Sequence, residues 1–367
     1  MELERRSQPS QDEFECLMIR HDPKTDLRAV IAVHSTTLGP AAGGCRRWQY
    51  LSLDAAVQDA MRLARGMTYK NALADIPFGG GKSVILGTHE APTEAQLKVF
   101  AGWVNELQGR YITAEDVGMG LNQIKVLEQH SPYVSGVGIR SLGGDPSPKT
   151  AYGVYLGLKT AAQYALGVQH LYGLRVAVQG LGAVGMSLCH WLARAGVELI
   201  VADMDRQRVD MAVRKYDAQA VSVEAIESVD ADVFAPCALG GGITEAFARS
   251  TPVKVIAGAA NNQLASPQAA EILRDRGVVY VPDFVLNAGG VISVAHEYMV
   301  KQDLFDEAHN SERWVDDRLN AISGRVLNIL SVADETSRSP DAVACDLAER
   351  KLSSGCEGQS GDVRLTA

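Results

Sequence analysis

The sequence predicts an α/β protein of two domains, the second built on a doubly wound parallel sheet. Three observations carry this. The chain has 367 residues, 46% of them hydrophobic, which is more than one comfortable core. Beyond residue 145, short apolar runs alternate with helix-length segments, the rhythm of parallel strands joined by helices. Between the halves, Gly143-Gly144-Asp145-Pro146-Ser147-Pro148 should interrupt any regular element and act as a hinge.

In the first half, Leu27–His34 reads as a strand, followed by a glycine-rich turn at Gly39–Gly44. Leu53, Val57, Ala60, Met61, Ala64 and Met67 then recur at helical spacing, predicting a helix that starts near Ser52 or Asp54 and delivers Lys70 just past its end. Gly79–Gly81 reads as a tight turn and Ser83–Leu86 as a strand. The first ~145 residues therefore form one mixed α/β domain. In the second half, Thr150–Ala165 suits a helix, Arg175–Gln179 a buried strand, Ala183–Ala195 a helix and Glu198–Ala202 a second buried strand. Further strands are expected at Val233–Ala235, Val253–Ala257 and Val278–Val281. Ser339-Pro340-Asp341 starts a helix running to Lys351, and the polar stretch from Ser353 to Ala367 reads as a disordered tail.

Composition narrows the function. The net charge is −9, with no dense basic cluster to neutralise a row of phosphates, so nucleic acid is not an expected partner. Six cysteines (Cys16, Cys45, Cys189, Cys237, Cys345 and Cys356) are scattered without a CxxC pair, as isolated thiols in a reducing compartment would be, and no metal site is indicated. The polar N-terminus lacks a signal peptide and no run of ~18 apolar residues occurs, so no membrane is expected and a cytoplasmic location follows by default.

Gly180-Leu181-Gly182-Ala183-Val184-Gly185 matches GxGxxG, a weak signal alone among 35 glycines. Its context strengthens it: the motif follows a strand, opens a helix, and precedes a second strand ending in Asp203. Gly180 would allow the tight turn, Gly182 the approach of a pyrophosphate, and Gly185 close packing of helix on strand. The helix N-terminus, at Ala183 and Val184, would then hold the phosphates with free N–H groups and its dipole. Asp203 would bind the ribose hydroxyls and repel a 2′-phosphate, favouring NAD over NADP, although Arg206 and Arg208 lie close by. This predicts a Rossmann domain, with a glycine-rich turn that holds no nucleotide as the alternative.

Two lysines attract attention. Lys82-Ser83 invites a P-loop reading, but that motif needs a glycine where Ile76 stands. Three consecutive glycines instead let the backbone press against a ligand, and a lysine beside them, with Lys70 as a second cation, is a candidate general base. Asp116, in a polar turn between apolar flanks, is its best carboxylate partner. An ordinary surface charge remains the alternative for each.

Longer motifs add to this. Leu38-Gly39-Pro40-Ala41-Ala42-Gly43-Gly44-Cys45-Arg46, Gly66-Met67-Thr68-Tyr69-Lys70-Asn71-Ala72, Gly79-Gly80-Gly81-Lys82, Asp145-Pro146-Ser147-Pro148, Ala235-Pro236-Cys237-Ala238-Leu239-Gly240, Gly258-Ala259-Ala260-Asn261-Asn262-Gln263 and Asn287-Ala288-Gly289-Gly290-Val291 occur in order. Together they resemble the glutamate/leucine/phenylalanine/valine dehydrogenase superfamily, and most of all its small leucine and phenylalanine dehydrogenases, from about Leu27 to Lys351.

The resemblance implies NAD-dependent, reversible oxidative deamination of an L-amino acid to a 2-oxo acid and ammonium. It implies that Lys70 pairs with the substrate carboxylate, Lys82 activates water, and Asp116 moves protons as the carbinolamine forms and collapses. Gly43, Gly44 and Met67 would lie against the substrate, and Asn262 would bridge the substrate and cofactor sides, with Asn261 the weaker choice. Cys237, Ala238, Asn261 and Asn287 join Gly180, Gly182, Ala183, Val184, Gly185 and Asp203 as cofactor-binding candidates. The implied layout is a substrate-binding, catalytic and oligomerisation domain over 1–145, a NAD-binding domain over 146–335, a C-terminal helix over 336–352 returning to the first domain, and the tail. The active-site cleft lies between the two domains, and the chain forms a homo-oligomer of unspecified number.

The resemblance places Ala42, Ala114, Val291 and Val294 in the side-chain pocket. All are apolar, so a γ-carboxylate would go unpaired and glutamate is disfavoured. Ala114, Val291 and Val294 resemble the branched-chain enzymes, which points to leucine, valine or isoleucine. Ala42 enlarges the pocket toward phenylalanine or tryptophan, so an aromatic amino-acid dehydrogenase, or a secondary-metabolism relative, stays open. A NAD-sensing binding protein without turnover is the non-enzymatic alternative.

Overall fold

A computed structural model describes residues 13–88, 90–138, 145–304 and 312–355. The described residues fall into two compact units, one within Met1–Gly144, Val291–Trp314 and Ala348–Ala367, the other within Asp145–Gly290 and Val315–Leu347. Among the described residues no helix is long and apolar enough to cross a membrane.

In the first unit, β1 (Cys16–Asp22), β2 (Leu27–Ser35), β3 (Ala41–Ala42), β4 (Cys45–Trp48), β5 (Gly79–Leu86) and β6 (Tyr111–Ile112) form one sheet in the order β1-β2-β5-β3-β6, with β4 also paired to β5. The β1, β2 and β5 pairings are antiparallel and the others parallel. Helices α1 (Leu53–Leu73), α2 (Glu94–Glu106) and α3 (Leu121–Glu128) complete this part. β2 is a near-continuous apolar run because it is covered on both faces. Val30 and Ala32 pack with Ala56, Ala60, Met61 and Ala64 of α1, whereas Ala29, Ile31 and Val33 pack with Leu97, Phe100 and Val104 of α2. Ser52 caps α1 by accepting a hydrogen bond from the Ala55 N–H (3.1 Å), and Thr93 and Gln96 form a capping box on α2.

Two expectations need correction here. Helix α1 continues to Leu73, so Lys70 stands in its last turn rather than past its end. The glycines Gly79–Gly81 form no turn but are the first three residues of β5. Packing overrides their turn propensity: a Cβ at Gly80 would fall 2.1 Å from the Thr68 nitrogen on α1, and one at Gly81 2.7 Å from the Tyr111 ring.

The second unit opens with α4 (Ser147–Leu166) and continues through β7 (Arg175–Gln179), α5 (Ala183–Arg194), β8 (Glu198–Ala202), α6 (Arg206–Tyr216), β9 (Gln219–Ala220), β10 (Val233–Pro236), α7 (Glu245–Ser250), β11 (Val255–Ile256), α8 (Pro267–Asp275), β12 (Val279–Tyr280) and α9 (Asp283–Leu286). The sheet is parallel throughout, in the order β12-β11-β10-β7-β8-β9. The chain lays β8 and β9 on one side of β7 and β10 to β12 on the other, so the crevice between β7 and β10 is a topological switch point.

The expected hinge is only partly an interruption. Gly143 and Gly144 lie outside the described residues, while Ser147 and Pro148 already belong to α4, because proline is tolerated in a first helical turn. The strands expected over Val253–Ala257 and Val278–Val281 shorten to the two-residue β11 and β12.

Three further helices follow: α10 (Gly289–Lys301), α11 (Glu312–Thr336) and α12 (Pro340–Gly355). Helix α12 includes Ser353 and Ser354, which the sequence assigned to the tail; the rest of that tail lies outside the described residues. In the first unit, the Tyr69 hydroxyl donates to Glu349 (2.9 Å) and Lys351 is ion-paired with Asp75. The five described cysteines are free.

Candidate active site

β5 carries Lys82 opposite Ala32 of β2, in the interior of the sheet, and the lysine is only 6% exposed. The glycines let other elements close over it. Its Nζ is ion-paired with Asp116 Oδ2, which is also 3.5 Å from Arg46 Nε. Burial works against the Asp116 carboxylate, but Lys82 and then Arg46 outweigh it and hold the carboxyl below its ordinary value. The pair thus joins an amine to an ionised carboxylate across which a single proton can pass.

Arg46 extends the network to Asp59 (3.2 Å), which also accepts from the Tyr50 hydroxyl (2.7 Å) and from Arg62 (2.7 Å). Arg46 and Asp59 were not singled out in the sequence, although Arg46 stands inside a quoted motif. The run Cys45-Arg46-Arg47-Trp48 along β4 has no alternation that would have marked it.

Close backbone approaches assemble the surroundings. A Cβ at Gly43 would lie 1.9 Å from the Gly81 carbonyl oxygen and 3.1 Å from Met67 Cγ, and one at Gly44 2.9 Å from Asp116 Cβ. The Tyr111 hydroxyl donates to the Gly43 carbonyl (2.7 Å) and sits 2.9 Å from Ser83 Oγ. Asn71, fully buried, donates to the Gly79 carbonyl (2.6 Å). Gly43, Gly44, Met67, Lys82 and Asp116 are thereby brought together, and Lys70 follows Met67 by three residues on the same side of α1. Cys45, beside them, is a buried thiol pushed up to about 12 by desolvation.

Among the pocket candidates, Ala114 and Val294 meet around Gly136: a Cβ there would be 3.8 Å from Ala114 Cβ and 4.0 Å from Val294 Cγ2. Val291 lies three residues before Val294 on α10. Ala42, on β3, is partly buried and is held by its pairing with Gly80.

In the second unit the glycine turn joins β7 to α5 at the switch point. Gly180 has φ +93°, and a Cβ on it would strike Ala238 N at 2.8 Å. A Cβ on Gly185 would be 2.0 Å from the Gly180 carbonyl oxygen and 3.3 Å from Cys237 Cβ. Gly182 is different: its nearest neighbour would be Arg208 at 4.0 Å, so the space over the turn is open. Gly182 is also the N-cap of α5 and makes no side-chain cap bond, and Ala183 and Val184 begin the helix. Asp203 accepts from the Leu181 N–H (2.5 Å) and the Asp205 N–H (2.7 Å), tying the end of β8 to the turn. The Asn287 amide donates to Asn261 Oδ1 (2.9 Å) and to the Ala259 carbonyl (3.1 Å). Asn262 has φ +53°, and its N–H is held by Asp283 (2.6 Å).

These features define a class: a two-domain mixed α/β dehydrogenase fold, with a buried lysine–carboxylate pair in one unit and a dinucleotide-type turn in the other. The comparisons make it particular. Residues 14–132 match the Glu/Leu/Phe/Val dehydrogenase dimerisation domain and residues 201–349 the Glutamate/Leucine/Phenylalanine/Valine dehydrogenase domain. Leucine dehydrogenase of Bacillus subtilis is 42% identical over 342 residues, 93% of this chain and 92% of that protein. Phenylalanine dehydrogenase of Lysinibacillus sphaericus is 40% identical over 290 residues, 77% of this chain and 76% of that protein. The crystal structure of L-tryptophan dehydrogenase from Nostoc punctiforme matches with a TM-score of 0.80 at 36% identity, covering 94% of this chain and 98% of that one. The chain belongs to the Glu/Leu/Phe/Val dehydrogenase family and is an amino-acid dehydrogenase, an oxidoreductase acting on CH–NH2 donors.

Proposed function

We propose that the chain catalyses NAD-dependent, reversible oxidative deamination of an apolar L-amino acid of the leucine, valine or isoleucine type. The observation that carries this reading is the buried Lys82–Asp116 ion pair, set among Gly43, Gly44 and Met67 with apolar residues as the pocket candidates. In the overall reaction an L-amino acid, NAD+ and water become a 2-oxo acid, ammonium, NADH and one proton.

Lys70 binds the substrate carboxylate. Lys82 takes a proton from the water that attacks the imine carbon, and Asp116 accepts and returns protons as the carbinolamine forms and loses ammonia. NAD, when bound, supplies the acceptor for the Cα hydride. The open space over Gly182 and the uncapped start of α5 fit a pyrophosphate, and Asp203 fits the ribose hydroxyls, so Gly180, Gly182, Ala183, Val184, Gly185 and Asp203 would hold it with Cys237, Ala238, Asn261 and Asn287. Asn262 serves the substrate. The first unit is assigned substrate binding, catalysis and self-association, the last suggested by the dimerisation-domain match, and the second unit cofactor binding.

A second reading, an aromatic substrate, is favoured by the small Ala42 and by the tryptophan and phenylalanine dehydrogenase relatives. One methylene in an apolar pocket is worth ~1–3 kcal/mol, so substrates of both kinds can be turned over at different rates. Initial rates of NADH formation with L-leucine, L-phenylalanine and L-tryptophan decide between them. Faster turnover of L-leucine is expected; faster turnover of either aromatic amino acid overturns the first reading, and NAD binding without turnover of any amino acid overturns both.

A further inference from the structure

Glu297 is buried in α10, 2% exposed, and is not used by the chemistry above. Its Oε1 accepts three consecutive backbone N–H groups, from Gly136 (3.0 Å), Val137 (3.0 Å) and Gly138 (3.1 Å). Gly136 and Gly138 have φ +88° and +87°, a conformation that turns successive N–H groups toward one point. Burial pushes the carboxyl above its ordinary range and the three donors oppose this, so the carboxylate depends on the loop as the loop depends on it.

The same loop is fastened twice more. Ser135 Oγ donates to the Val294 carbonyl (3.1 Å), three residues before Glu297 on α10, and Ser135 N donates to the Thr113 carbonyl (2.9 Å), next to Ala114. Gly136 is thus held between Ala114 and Val294, two of the residues assigned to the side-chain pocket. A loop free to shift here would change the space between them.

We propose that Glu297 is a positioning residue for substrate selection, fixing residues 136–138 as the wall between Ala114 and Val294 so that the pocket has one depth. This rests on the pocket assignment under Proposed function. Losing the clamp should leave hydride and proton transfer largely intact while loosening the grip on the amino-acid side chain. Because uniform binding energy appears in KM rather than kcat, the KM for the preferred amino acid should rise about tenfold in Glu297→Ala, with kcat changed less than about threefold. The ratio of kcat/KM between L-leucine and L-phenylalanine should shift at least about fivefold. Glu297→Gln keeps an acceptor oxygen and should lie between wild type and Glu297→Ala on every measure.

The test combines these kinetics with amide hydrogen exchange of residues 136–138 in the full-length protein. Faster exchange of those three amides in Glu297→Ala, together with a changed substrate ratio and an unchanged KM for NAD, supports the proposal. Unaltered exchange overturns it, and so does faster exchange with an unaltered substrate ratio. If wild type turns over no apolar amino acid, the substrate reading has failed; the exchange data then decide the clamp, and the substrate ratio is measured on whichever amino acids are turned over. Should Glu297→Ala not fold, Ser135→Ala removes one fastening of the same loop and must shift the substrate ratio in the same direction by a smaller factor.

Discussion

The two candidate half-sites are built by opposite means. In the second unit, a short stretch from Gly180 to Asp203 holds turn, helix start, strand and acid, each following its neighbour in the chain. The lysine half in the first unit draws on four separate segments, around Gly43, Met67, Lys82 and Asp116, which meet only because glycines remove the side chains between them. A local device tolerates change at its ends, whereas an assembled one fails wherever two backbones can no longer touch. Charge differs in the same way: Lys82, Asp116, Arg46 and Asp59 are linked by ion pairs inside the protein, while the glycine turn keeps open space over Gly182.

The largest expected break falls in the lysine half. Lys82→Ala removes the proposed base and leaves Asp116 with Arg46 as its only charged partner among the ion pairs described. Loss of a positioned general base costs roughly 10²–10⁴-fold in rate, so kcat should drop by about that factor. Binding of NADH, read by fluorescence titration, should stay within about twofold of wild type if the halves act separately. A variant that keeps its rate shows that the base lies elsewhere; one that loses NADH binding as well shows that the two halves are not independent.

That contrast also explains what could be read from sequence. Arg175–Gln179, Glu198–Ala202 and the glycine turn were legible with their ends correct, because strand, turn and helix start are each signalled by adjacent residues. Gly79–Gly81 was misread as a turn because three glycines carry turn propensity, and only Thr68 and Tyr111, distant in the chain, show why the strand needs them. Lys82 and Asp116 were legible as partners, yet not the depth of their burial. Arg46 and Glu297 were not picked out, since an arginine on a strand or a glutamate on a helix looks the same in sequence whether it faces water or a buried loop.

A smaller effect should separate the units by acid. His34 lies at the bulge of β2 opposite Gly80 and Gly81, with Nδ1 2.9 Å from Thr68 Oγ1. Burial first, then Arg65, lowers its pKa from 6.5 to about 4, partly offset by Glu15. The folded protein therefore binds this proton less readily than the unfolded chain. The stability it contributes is complete above pH 6.5 and is lost as pH falls toward 4. Allowing for partial exposure, the loss should be about 1–2 kcal/mol. Urea midpoints of wild type and His34→Gln, measured across that window, test it: the wild-type curve should fall more steeply. Parallel curves would show that His34 is protonated equally in both states.

The smallest change belongs to the nucleotide half. Asp203 accepts one backbone N–H from the turn at Oδ2 and one from Asp205 at Oδ1, so Asp203→Asn, with a single acceptor oxygen, keeps at most one of the two bonds while removing the charge. Charged hydrogen bonds are about twice as strong as neutral ones, and NAD affinity should weaken by roughly five- to tenfold, near 1 kcal/mol. The discrimination against NADP should narrow at the same time, because the charge that repels a 2′-phosphate is gone. Arg208 will not offset this strongly: its Nε is ion-paired with Asp205 (3.1 Å), and Asp205 also caps α6 by accepting from the Gln207 N–H (2.9 Å). Freeing Arg208 would break that ion pair. Dissociation constants for NADH and NADPH measured side by side supply the check, with kcat at saturating NAD as the control for the lysine half. Equal loss for both cofactors would mean that Asp203 shapes the turn without reading the ribose. A fall in kcat would mean that the nucleotide half reaches the lysine half through more than cofactor occupancy.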